Sequence, residues 1–195
     1  DSMNAEKDIN EIGVKAILLV ENSIRFYTRY LPLIYRILFK QTQSFIQEGL
    51  NEHRKIMSKR GRPKILLAKT YEEAIDLFDK YKNNLIGVIS DVSYFKNNIK
   101  NTEAGFHFLR YVRGFDKYFP VLIQSSSLKN EEQALKLNAK FLYKHSETLS
   151  LELKHYIAKY FLFGDFEFWN PKTGRVTKKA KDLKSFQKAL SRVTL

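Results

Sequence analysis

Five short apolar runs recur along the chain: Ala16–Glu21 (AILLVE), Lys64–Ala68 (KILLA), Ile86–Asp91 (IGVISD), Pro120–Ser125 (PVLIQS) and Lys140–Lys144 (KFLYK). They are too short for buried helices, rich in Ile, Leu and Val, and nearly continuous rather than alternating. Strands covered on both faces have this pattern. Between them the apolar positions step by three and four, as on a helix that buries one side. Ile24, Tyr27, Leu31, Ile34 and Leu38 form the first such series, and Phe106, Leu109 and Val112 form another. Thr70-x-x-Glu73 opens a third segment with a capping box, in which hydroxyl and carboxylate satisfy exposed amides reciprocally. Asn130–Ala139 and Ser146–Phe161 complete the set, and Gly114 is placed to stop the helix before it. Strand and helix therefore alternate five times, which implies a parallel sheet with right-handed crossovers and helices on both faces.

Two stretches break the rhythm. About 40 residues separate the first two strands, far more than the dozen a crossover needs. The excess, Gln41–Lys64, reads as a prolonged first helix followed by a basic turn, an insertion at about 40–62, with Pro32 placed to bend the helix. After Phe161 the chain suggests a hairpin around Pro171–Gly174 and a helix from about Asp182. Residues 1–14 are polar and mixed in charge, and read as a disordered or tag-derived N-terminus. The expected division is thus a single α/β domain over 15–161, followed by an appendage or linker over 162–195.

Charge and composition narrow the picture. With no cysteine among 195 residues, disulfides, thiolate metal sites and cysteine nucleophiles are excluded, and a reducing cytoplasm is the expected setting. The most apolar stretch is interrupted by Arg25, Arg29 and Arg36, so it does not read as a membrane span. A net charge of +13 is concentrated at Arg25–Lys64 and Lys172–Arg192, two basic margins around a near-neutral middle. Arg60–Lys64 (RGRPK) is similar to minor-groove binding segments, but a lone five-residue match is better explained as a basic turn feeding the second strand. Nucleic acid is accordingly the lesser partner. His53, His107, His145 and His155 lack metal-ligand spacing. The pairs Glu72–Glu73 and Glu131–Glu132 sit at helix starts, where carboxylates favour the helix dipole.

In an open parallel sheet, ligands gather beyond the carboxyl ends of the strands. The residues ending the expected strands are Glu21 and Asn22 on the first, Asp91 on the third, Ser125 and Ser126 on the fourth, and Lys144 on the fifth. The second strand ends at Ala68 and contributes nothing. Two acids, an amide, hydroxyls and an ammonium would therefore converge on one crevice.

These residues resemble the receiver domain of two-component response regulators, the CheY-like (flavodoxin-like) fold, from about Lys15 to Phe161. ILLVENS is similar to the first strand with its acidic pair, Glu21 matching one acid and Asn22 replacing the other. VISDV resembles the strand that bears the phosphoacceptor, Asp91. AGFHFLRYVR carries the family glycine as Gly105. Ser125 stands at the family's hydroxyl position, Lys144 at its lysine and Phe141 at its switch aromatic. The resemblance implies a doubly wound five-stranded parallel sheet of order 2-1-3-4-5. It also implies Mg²⁺ held by Glu21, Asn22, Asp91 and the backbone carbonyl of Ser93, in a site weakened by Asn22. Phosphoryl would come from a histidine kinase or phosphotransfer protein, Ser125 and Phe141 would switch, and the last strand with the last two helices would signal. Such a module is not an enzyme, and an output domain is expected outside this chain.

Two departures qualify the resemblance. His145 replaces the proline that follows the family's lysine, and the loop after Asp91 (VSYFKNNIKNTE) is longer and lacks the usual Met-Pro. Three alternatives stay open: a pseudo-receiver that is never phosphorylated and serves protein interaction, a homodimer through the prolonged first helix, and a basic nucleic-acid binder.

Overall fold

The computed structural model describes residues 2–47, 62–161, 166–169 and 176–180. Five parallel strands form the sheet: β1 (Ala16–Val20), β2 (Lys64–Ala68), β3 (Leu85–Asp91), β6 (Val121–Ser125) and β7 (Lys140–Tyr143), in the order β2-β1-β3-β6-β7. The expected order is met; only the numbering shifts, because a small hairpin, β4 (Tyr94–Lys96) with β5 (Ile99–Asn101), follows β3.

Strand alternation divides the core in two. Ala16, Leu18, Val20, Val88, Val121 and Ile123 face one apolar layer, with Phe78, Phe106, Phe108 and Leu109 from the helices α3 (Tyr71–Tyr81) and α4 (Ala104–Phe115). Ile17, Leu19, Ile89, Leu122 and Leu142 face the other, with Tyr30, Ile34 and Leu38 of α2 (Ile24–Gln47) and Leu153 and Ile157 of α6 (Leu149–Tyr160). The inner strands β1, β3 and β6 are sandwiched, which is why their sequences are almost continuously apolar, whereas the edge strands β2 and β7 are only partly buried. Helix α5 (Asn130–Lys136) ends where Asn138 turns left-handed at φ 57°, and Ala139 N–H reaches back to the Ala134 carbonyl at 2.9 Å. Arg113 ties this turn to α4, donating to the carbonyls of Leu137, Asn138 and Phe119.

Several expectations are corrected. Residues 2–10, expected to be disordered or tag-derived, form helix α1 (Ser2–Asn10). Ile9 is buried in the α3/α4 layer, while Asp8 pairs with Lys64 at 2.6 Å and Glu6 with Lys80 at 2.8 Å. An apolar anchor and two ion pairs give this short polar segment a seat that its composition alone does not suggest. Helix α2 itself runs through Pro32 for 24 residues, about 36 Å; its inner face is held by Tyr30, Ile34, Ile37 and Leu38. Gly114 is not the helix stop, since α4 continues to Phe115 and leaves through the extended Asp116.

Beyond the main sheet, β8 (Phe166–Trp169) pairs antiparallel with β9 (Val176–Ala180). The turn expected at Pro171–Gly174, the helix from Asp182, and residues 48–61 of the insertion lie outside the described residues. Lys64, the last residue of RGRPK, begins β2. Among the described residues, no helix is long and apolar enough to cross a membrane.

Candidate functional site

Glu21 follows β1, Asp91 ends β3 and Lys144 follows β7, so parallel register delivers all three to one rim of the sheet. Their strand neighbours Leu19, Ile89 and Leu142 lie in the α2/α6 layer, and period-two alternation puts the three site residues on that same side. Lys144 Nζ lies 2.6 Å from Glu21 Oε2 and 2.9 Å from Asp91 Oδ2. The ring of Phe26, in the first turn of α2, covers the ammonium at 4.1 Å from its centroid. Lys144 and Glu21 are buried, whereas the Asp91 side chain keeps 13% of its surface exposed. Of the two carboxylates, that of Asp91 is thus the one solvent can reach.

Glu21 is tightly engaged. Its Oε1 accepts from the Ser23 amide at 3.0 Å, and its Oε2 accepts from Gln124 Nε2 at 3.1 Å as well as from Lys144. Burial and the like charge of Asp91 push its carboxyl up from the ordinary value, while Lys144 and the Ser23 amide pull it down. Asp91 Oδ1 accepts from the Val92 amide at 2.8 Å. A carboxylate offers about four acceptor positions, so Glu21 keeps one and Asp91 two. Asn22 is half-buried and makes no hydrogen bond to the other described residues. Among those residues, no three His, Asp or Glu side chains gather as a ready-made metal group. Oxygen donors suited to a hard cation are nonetheless present at the rim.

The main chain of Asp91 is also fixed from behind. A Cβ built on Gly105, in the first turn of α4, would stand 2.1 Å from the Asp91 carbonyl oxygen and 2.8 Å from Val92 Cα. Gly105 N–H donates to the Val92 carbonyl at 2.9 Å. Only a residue without a side chain fits this approach.

No family model and no curated protein matches the sequence. Solved structures do. A response regulator receiver domain protein from Clostridium thermocellum aligns with a TM-score of 0.53 at 18% identity, over 74% of this chain and 91% of that one. This chain has the receiver-domain fold. The non-phosphorylated HemR receiver domain from Leptospira biflexa aligns at 20% identity and a TM-score of 0.45, over 74% of this chain and 95% of its own. The response regulator TrrA from Thermotoga maritima, solved in complex with Mg²⁺-BeF, gives 19% and 0.42, over 73% and 96%.

On this receiver fold, two of the sequence-derived residues stand apart from the charged cluster. The Ser125 hydroxyl accepts from the Ser127 amide at 3.1 Å and from Asn130 Nδ2 at 2.8 Å, which ties it to the loop before α5. Phe141 packs partly buried against the α3/α4 layer. It also borders a cavity of about 460 Å³ with Leu122, Leu142 and Tyr156. Ser93, half-buried, lies between Asp91 and the hairpin.

Three site residues escaped the sequence reading: Phe26, Gln124 and Tyr30. Gln124 carried a usable signal, being the only strong polar residue inside an apolar strand run. Its Oε1 and the Tyr30 hydroxyl are buried without a partner among the described residues. Burial, then the charge of Glu21, push the Tyr30 hydroxyl up.

Proposed function

We propose that this chain accepts a phosphoryl group on Asp91 and thereby switches a protein-interaction face. The observation that carries the reading is the partly open Asp91 held 2.9 Å from the buried Lys144 ammonium at the carboxyl rim of the sheet. A carboxylate oxygen of Asp91 attacks the phosphorus of a phosphohistidine on a histidine kinase or phosphotransfer protein. The O–P bond forms as the P–N bond breaks, and the imidazole leaves after taking a proton. Lys144, already on Asp91, remains to balance the added charge on the new phosphoryl group. Ser125 would exchange its loop contacts for a phosphoryl oxygen, and Phe141 would follow into the vacated space. This biases the last strand and last two helices between two states.

Glu21, Asn22, Asp91 and the Ser93 carbonyl are the residues that would hold Mg²⁺. When bound, the ion supplies neutralisation of acceptor and phosphoryl charge. Asn22 removes one formal charge from the donor set, and Glu21 has one free acceptor position, so weak affinity is expected.

A pseudo-receiver is the second reading. Its supporting observation is the complete burial of Glu21, whose Oε2 is taken twice, by Lys144 and Gln124. Intact mass after treatment with a small phosphodonor and Mg²⁺ separates the two. One added phosphoryl, lost in Asp91→Asn, is expected. No adduct, together with no NMR shift around Ser125 and Phe141 on adding beryllofluoride, would establish the pseudo-receiver instead.

A further inference from the structure

Strand β6 reads Val121-Leu122-Ile123-Gln124-Ser125, and all five residues are buried. Gln124 pairs directly with Asp91 in the β3–β6 ladder. A carboxamide with no exposed surface in a central strand is disfavoured unless its hydrogen bonds are used. Among the described residues, Gln124 makes one of the four that a carboxamide can make. Nε2 donates to Glu21 Oε2 at 3.1 Å, while Oε1 has no partner among the described residues. The atom it serves also takes Lys144 Nζ at 2.6 Å, and the same ammonium reaches Asp91 at 2.9 Å. A continuous line of contacts therefore runs from Gln124 through Glu21 and Lys144 to Asp91, entirely on the α2/α6 side.

Glu21 lies beyond the last ladder residue of β1, and apart from Gln124 its carboxylate is held by the Ser23 amide and by Lys144, the group it carries. Side chains one step removed from a reacting group commonly fix it in this way, and their loss lowers activity without touching the reacting atoms. We propose that Gln124 is a positioning residue of the Asp91 site. By donating to Glu21 it holds the carboxylate that carries Lys144, and so sets how firmly the ammonium is kept against Asp91. Its use in phosphoryl transfer rests on the function proposed above; the coupling of Gln124 to Lys144 does not.

The test reads the two separately. Gln124→Met and Gln124→Leu keep the apolar volume and remove the donor. Gln124→Asn keeps the amide but is one methylene too short to reach Glu21, so it serves if the apolar variants do not fold. The first readout is solvent exchange of the Lys144 ammonium protons by ¹⁵N NMR, assigned with Lys144→Met. Exchange about tenfold faster in the Gln124 variants than in the natural chain is expected. The second is the rate of phosphorylation by a small phosphodonor at saturating Mg²⁺, expected to fall about tenfold in the same variants. Ammonium exchange unchanged in every folded Gln124 variant would overturn the proposal. Faster exchange in a natural chain that takes no phosphoryl group would sink the phosphorylation reading and leave the positioning role standing.

Discussion

Lys144 answers two carboxylates with one charge, and both the lysine and Glu21 are removed from water. Truncating one member of such a buried pair leaves an uncompensated charge, which costs about 3–5 kcal/mol. Lys144→Met should therefore lower the urea-unfolding free energy by that amount. The double variant Lys144→Met with Glu21→Gln should recover a substantial part, because both charges leave together. Acid dependence follows from Glu21 itself. Burial and Asp91 raise its folded-state value above the ordinary 4.5, so the folded chain binds this proton more tightly than the unfolded one. The associated stability is fully present below 4.5 and is lost as pH rises through the folded-state value. Denaturation midpoints of the natural chain relative to Glu21→Gln should accordingly decline upward from 4.5, and a flat difference would contradict the assignment.

At the scale of elements, the start of α3 shows local chemistry deciding a boundary. Thr70 Oγ1 accepts from the Glu73 amide at 3.2 Å, and Glu73 Oε2 accepts from the Lys69 amide at 2.7 Å. The box thus closes one residue earlier than the usual reciprocal pair. Thr70→Ala should cost about 1 kcal/mol in chemical denaturation. The β4–β5 hairpin is set by Asn97 and Asn98, both left-handed at φ 52° and 60°, a conformation that asparagine tolerates in two-residue turns. Tyr94 roots it in the core, Thr70 bridges to Phe95, and the Asn97 amide donates to Glu72. In sequence the segment reads as a long loop, because three-residue strands show almost no period.

Taken whole, the molecule shows which levels of information the chain carries openly. The apolar strands and their intervening helices were legible because burial of the inner strands on both faces leaves a one-dimensional trace. Glu21, Asp91 and Lys144 were legible because a parallel sheet sends strand ends to one rim. Gln124 stood out as a polar residue within an apolar run but pointed to no partner, and Phe26 was one aromatic among several on α2; neither residue acquires a role until α2 and β6 are packed. Helix α1 was obscured for a similar reason, since its partners Lys64 and Lys80 are distant in the chain. One consequence follows from the missing side chain at Gly105. With α4 seated on the very peptide group that carries Asp91, a shift of that peptide would push directly on the first turn of a twelve-residue helix. The other end of that helix carries Phe115, whose ring meets those of Phe78 and Phe119.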